Sequence, residues 1–295
     1  MGAKESGCMR QSHGNLSDTR GNRLGIGFFK VCMAVFGLRF CRLFVWPVAF
    51  FYALFDRKAF EAARPYLQSA FSGNLRWHFL KMIVNHGQAI LAAQWLRTGH
   101  KLEMRDVNSE IREEMLLEAK NGFIMLMSHV GCWQATISRM EGLNTHVNLL
   151  NQDNKNPLYA HMMEGSFIRV ISNSKEFGGL LEATEALMKH EVLCVMGDRL
   201  PDDVPSHLSI MLRGRKIRVP EAPWHLAARC NTPIFIIFTI LHPDSIDFIY
   251  MPPIRIDYNV PRKPSPDFFT PYLQIYQEAL EKIASDFPYQ IFHYQ

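Results

Sequence analysis

The chain has 295 residues, 48% of them hydrophobic and 20% charged, enough to bury a full core and too little charge for general disorder. The net charge of +4 is concentrated at one end: residues 1–45 hold seven basic and two acidic side chains, so the remainder is slightly acidic. That basic excess adjoins the most apolar stretch of the chain, which suits an anionic membrane surface and argues against nucleic acid.

Residues 1–24 are polar and rich in Gly, Ser and Asn, and read as a flexible basic tail without the features of a secretory signal. Their opening Met1-Gly2-Ala3-Lys4-Glu5-Ser6 fits the loose myristoylation pattern, which is short and weak. Residues 25–55 form a hydrophobic segment interrupted by Lys30, Arg39 and Arg42. The longest uncharged run, Leu43 to Phe55, is thirteen residues, short of the roughly 20 that a clean span needs. Two arrangements fit: a tilted span with snorkelling Arg39 and Arg42, or a helix or helical hairpin in the interface, anchored by Trp46 and Tyr52.

Residues 56–295 read as one domain. Residues 56–100 are predicted helical, with Asp56 as N-cap and apolar side chains at three and four spacing. From residue 102 short apolar runs alternate with helical patterns. Strands are predicted at 122–127 (GFIMLM), 146–150, 170–171, 192–196 (VLCVM), 233–241 and 246–251, and a hairpin at 208–219 turning at Arg213-Gly214. Helices are predicted at 109–120, 135–141, 157–167, 179–189, 221–229 and 265–285. The alternation implies an α/β fold: a mostly parallel central sheet flanked by helices, with the N-terminal segment appended.

Sites in open parallel sheets form beyond the carboxyl ends of the strands. The first buried strand ends in Ser128-His129-Val130-Gly131-Cys132-Trp133-Gln134, the later one in Gly197-Asp198-Arg199. His129 leaves its strand where the chain turns, Gly131 permits close approach of a ligand or backbone, and Gln134 lies one turn on, where it is able to orient the imidazole. This is the pattern of a general base with an orienting partner.

The HxxxxQ segment, its SHxGxW form, the later Gly-Asp-Arg, the hydrophobic start and the Phe-Asp-Arg-Lys-Ala entry into the first soluble helix together resemble the lipid A biosynthesis acyltransferase family, within the lysophospholipid acyltransferase superfamily. The resemblance covers roughly residues 25–295. It implies transfer of a fatty acyl group from a thioester of acyl carrier protein or coenzyme A to a hydroxyl of a membrane lipid or glycolipid, at the cytoplasmic face of a bacterial inner membrane. It implies no cofactor beyond the thioester co-substrate. The superfamily's motif has Asp or Glu where this chain has Gln134, so Asp198 is expected to supply the missing carboxylate.

Arg199 is a candidate for holding a phosphate or the developing oxyanion, as are backbone N–H groups near Gly131. Arg169 is a candidate substrate contact, in a region where the family tends to place a basic residue. The basic hairpin of Arg213, Arg215, Lys216 and Arg218 reads first as a solvated face and second as a contact for lipid phosphate or an acidic carrier protein. No metal is expected, because no second histidine stands at ligand spacing from His129, and a monomer or weak oligomer is expected. Six scattered cysteines without CxxC or zinc spacing read as reduced thiols in a cytosol-facing protein. Two alternatives stay open. One is a catalytically inactive lipid-binding relative, suggested by Gln134. The other is a thioesterase or hydrolase using Cys132 as nucleophile beside His129.

Overall fold

The computed structural model describes residues 23–151, 167–172, 179–200, 207–257 and 265–292. Residues 1–22 of the tail expected to be flexible, and all but the last residue of the helix predicted at 157–167, lie outside them.

The N-terminal segment is helix α1, Arg23–Phe55. Its stretch Gly27–Phe55 is, by length and composition, long and apolar enough to cross a membrane. It is not one straight rod. Gly37 adopts φ 77° and ψ 174°, a conformation open to glycine and almost nothing else. The Phe28 and Phe44 rings stand 5.8 Å apart, whereas sixteen residues of straight helix would separate them by about 24 Å. The segment therefore folds back on itself at Gly37 as a helical hairpin. Cys41, Val45 and Ala49 recur at four-residue spacing on the buried side of its second arm, facing the domain. Leu43, Trp46, Phe50, Phe51, Leu54 and Phe55 stay exposed.

Helix α2, Arg57–Ala70, starts as predicted at Asp56, whose carboxylate accepts the Ala59 N–H at 3.0 Å. The helical pattern of 56–100 is broken once, at Phe71-Ser72-Gly73-Asn74. Gly73 takes φ 87° and Asn74 caps helix α3, Leu75–Arg97. Helix α3 is the floor on which α1 rests: a Cβ on Gly87 would lie 2.7 Å from Val45 Cγ1.

The rest is a seven-stranded sheet with helices on its faces. Its strands are β1 (Glu103–Val107), β2 (Ile124–Met127), β3 (Val147–Asn151), β4 (Ile168–Ser172), β5 (Val192–Met196), β8 (Ile234–Leu241) and β9 (Ser245–Tyr250), in the order β1-β9-β8-β2-β5-β3-β4. The pairs β8–β2, β2–β5, β5–β3 and β3–β4 are parallel. β9 runs antiparallel to β8 and carries β1 parallel to itself, so the sheet is mostly parallel but mixed. The central strand β2 is buried along its whole length, as its uninterrupted apolar run requires. β1 was not expected: it is an edge strand of alternating exposed and half-buried residues and has no apolar run to announce it.

Strands β6 (His207–Leu212) and β7 (Arg215–Pro220) form the predicted hairpin apart from the sheet. Arg213 and Gly214 take φ 50° and 74° at its turn, the left-handed pair of a tight hairpin. This hairpin is docked on the C-terminal helix, Thr270–Asp286, not simply solvated. The Met211 and Arg213 N–H groups donate to Gln277 and Glu281, at 2.7 and 2.6 Å.

Candidate active site

Register builds the site. Met127 of β2 pairs with Met196 of β5, and the Gly197 N–H donates to the Met127 carbonyl at 2.7 Å. His129 and Asp198 are therefore each carried just past the same rung of neighbouring parallel strands. The His129 backbone N–H donates to Asp198 Oδ2 at 2.7 Å, and the ring Nδ1 lies 2.9 Å from Oδ1. Asp198 is 2% exposed, while the His129 side chain is 18% exposed. A carboxylate has only acceptors to offer, so Nδ1 carries the proton and the Nε2 lone pair is left for chemistry.

The second wall comes from the far end of the chain. Ile291 bridges Val130 in antiparallel fashion, and the Phe292 N–H donates to the His129 carbonyl at 2.8 Å. Gln290 ties the wall down: its carbonyl accepts the Gly131 N–H at 2.8 Å, and its amide bonds both the N–H and the carbonyl of Leu241. Arg199 Nη2 donates to the Phe292 carbonyl at 3.2 Å, which holds the guanidinium beside the dyad. Tyr276, from the C-terminal helix, hydrogen-bonds Ser128 at 2.8 Å. Burial and the Asp198 charge push its phenol well above the ordinary value.

Three expected roles change. Gln134 sits in the 3₁₀ turn Trp133–Thr136 and does not orient the imidazole. Its Oε1 is buried with no hydrogen-bond partner among the described residues, and the ring that packs T-shaped with His129 is that of Trp133, with centroids 5.6 Å apart. Gly131 admits a close approach, but of protein and not of ligand. Its own N–H and that of Cys132 are spent on the Gln290 and Thr239 carbonyls, so these amides do not form an oxyanion hole. Arg169 belongs to the opposite end of the sheet. It pairs with Glu191 at 3.2 Å, just before β5 begins, roughly 20 Å along the strands from Asp198 at about 3.3 Å per residue.

Cys132 is fully buried and donates to the Ala89 carbonyl at 3.5 Å. Burial pushes its thiol up to about 12, so at neutral pH almost no thiolate exists to act as nucleophile. The expected result is that Cys132→Ala keeps the activity of the native protein. Intact-mass analysis after iodoacetamide treatment should also find this position unmodified until the chain is unfolded.

A second imidazole, His86 of α3, was not singled out by sequence because nothing around it forms a motif. Its ring packs on Phe292 with centroids 4.5 Å apart. The residue is half-buried. Burial, with repulsion from His129 and Arg199, lowers its pKa from 6.5 to about 4, so it is neutral at physiological pH. Between these two values the unfolded chain takes up a proton on His86 that the folded chain refuses, so stability falls as pH drops from about 6.5 to about 4. Denaturant titrations across that window should show a loss of roughly 2–3 kcal/mol, and His86→Gln should flatten it.

Among the described residues no group of three or more His, Cys, Asp or Glu side chains is arranged to hold a metal ion. Compared with known proteins, the chain matches no family model and no curated protein.

Proposed function

We propose that the chain is a membrane-associated O-acyltransferase in which His129 is the general base and Asp198 its orienting carboxylate. The observation that carries this reading is the buried Asp198 carboxylate gripping both the backbone N–H and the Nδ1 of His129. Nε2 removes the proton of an acceptor hydroxyl, whose oxygen attacks the thioester carbonyl. The resulting imidazolium is stabilised by Asp198 and returns its proton to the thiolate as the C–S bond breaks. With the Gly131 and Cys132 amides occupied, Arg199 is the residue assigned to the oxyanion.

Acyl transfer between carrier thioester and lipid hydroxyl comes from the resemblance of the SHxGxW and Gly-Asp-Arg segments to the lipid A acyltransferases, as does the cytoplasmic face of a bacterial inner membrane. The exposed aromatic side chains of the α1 hairpin, Trp46, Phe50, Phe51 and Phe55, support contact with a bilayer, with the hairpin inserted from one side. An inactive lipid-binding relative was suggested by the missing acid at Gln134. The Asp198 carboxylate at Nδ1 supports the active reading over that one.

The test is one assay with purified protein, acyl-carrier and acyl-CoA donors, and a panel of glycolipid and lysophospholipid acceptors. Acceptor acylation that His129→Ala lowers by about 10²–10⁴-fold supports the proposal. Donor consumption without acylation makes the protein a hydrolase in which the same base activates water. No donor consumption by the wild-type protein refutes the reading.

A further inference from the structure

The start of α3 carries a surface that neither the dyad nor the hairpin uses. Trp77 is 48% exposed there. Lys81, one turn on, holds its Nζ 5.4 Å from the centroid of the Trp77 ring and 5.4 Å from that of Tyr289. Tyr289 is itself fixed. Its ring stacks on Phe71 at 4.6 Å, Phe71 stacks on His78 at 4.4 Å, and the Tyr289 hydroxyl lies 2.7 Å from His78 Nδ1. The next residue, Gln290, accepts the Gly131 N–H, so this cluster adjoins the C-terminal wall of the His129 site.

A solitary exposed tryptophan on a helix is ordinary, and a lysine over its ring is a familiar cation–π contact. This surface differs in three respects. Trp77 is not solitary: its neighbour Arg76 donates from Nη1 to the Ala53 carbonyl at 2.8 Å, which fastens the start of α3 to the end of the hairpin's second arm. That end exposes Phe51, Leu54 and Phe55. The chemistry also changes from one to the other. The hairpin end offers hydrocarbon, whereas the start of α3 offers an indole, a phenol and an ammonium. These are the groups that settle at headgroup level, with the lysine stem along the rings and its charge toward water. Finally, residues 51–81 hold five basic and two acidic side chains, an excess of positive charge that suits anionic lipid.

We propose that Trp77 and Lys81 form a second, headgroup-level contact with an anionic bilayer, beside the hairpin and next to the C-terminal wall of the His129 site. The proposal rests on the hairpin's contact with a membrane, not on acyl transfer.

The experiment reconstitutes the full chain into vesicles of phosphatidylcholine with or without phosphatidylglycerol. It reads tryptophan quenching by lipids that carry a nitroxide on the headgroup or bromine deep in the acyl chain. Trp77→Phe and Trp46→Phe each remove one reporter, so the difference from wild type belongs to that ring. Trp77 is on the surface, and Trp77→Phe should unfold at the wild-type temperature. The signal it removes should be quenched more strongly by the headgroup nitroxide than by the deep bromine. Phosphatidylglycerol should raise vesicle affinity, and Lys81→Gln should lower that affinity about five-fold, the worth of one basic contact at an anionic surface. Lys120→Gln, which removes an exposed lysine just before β2, should leave it nearly unchanged. A Trp77 signal untouched by either label, with the Trp46 signal quenched, would overturn the proposal and leave the hairpin's contact standing. Equal losses from Lys81→Gln and Lys120→Gln would overturn it in favour of diffuse attraction. Wild-type protein quenched by neither label would refute the membrane reading itself, and this proposal with it.

Discussion

Asp198→Asn is expected to cut turnover by about 10³–10⁴-fold while leaving the protein folded. The carboxylate accepts two hydrogen bonds, from the His129 backbone N–H at 2.7 Å and from Nδ1 at 2.9 Å. An asparagine has one acceptor and one donor in their place. If its oxygen keeps the backbone bond, its NH₂ faces Nδ1 and forces that nitrogen to accept. The ring proton then sits on Nε2, and the base is lost through the wrong tautomer. Loss of the negative charge also removes the partner of the imidazolium that the proposed transfer would form. Turnover should be measured with circular dichroism and thermal unfolding on the same preparations. Gln134→Ala is the matched comparison. Its Oε1 has no hydrogen-bond partner among the described residues, and turnover should stay near wild type. Swapped effects, with Gln134 essential and Asp198 dispensable, would refute the dyad.

Both members of the dyad were legible in the sequence, and Gln134 was not. The strand carrying His129 and the one carrying Asp198 are uninterrupted apolar runs, and such runs mark strands buried on both faces. The rule that sites lie at the carboxyl ends then brings the two residues to one rim. Gln134 misled because spacing from His129 was read as helical, whereas the chain first makes the 3₁₀ turn Trp133–Thr136, which turns side chains by a different angle. Arg169 misled because strand order is invisible in sequence. Only the pairing β5-β3-β4 sets Arg169 beside Glu191 at the start of the strands.

The C-terminal wall was illegible for a related reason. Gln290 and Phe292 meet the His129 turn through backbone groups, across more than 150 residues of chain, and backbone groups leave no residue-type signature. The hairpin in α1 was half legible: composition foretold an apolar segment too interrupted for a clean span. The decisive signal was Gly37, whose φ of 77° turns one long helix into two arms.

Gly131→Ala is expected to damage both stability and turnover, and it tests whether the C-terminal wall shapes the site. Gly131 has φ 52°, and a Cβ there would fall 1.9 Å from the Thr239 carbonyl oxygen and 2.8 Å from Gln290 Oε1. The first of these is backbone of the long strand β8 and cannot swing aside. The left-handed conformation alone costs an alanine about 1–3 kcal/mol, and the forced shift of packed backbone adds about 1–3 kcal/mol more. A total of about 3 kcal/mol or more corresponds to a fall in Tm on the order of 10 °C. Gly214→Ala separates the two contributions. Gly214 also has positive φ, at 74°, but a Cβ there meets nothing within 4 Å, so it should lose only the conformational part and keep its activity. The activity loss in Gly131→Ala has its own cause. Relief of the clash must separate Gly131 from Thr239, and with it the strand-end turn that fixes His129 against Asp198. A variant that unfolds at lower temperature yet turns over normally below that point would show that the dyad tolerates movement of its wall. Loss of turnover well below the new Tm is the expected result, and it would make the close contact of Gly131 with β8 a determinant of dyad geometry.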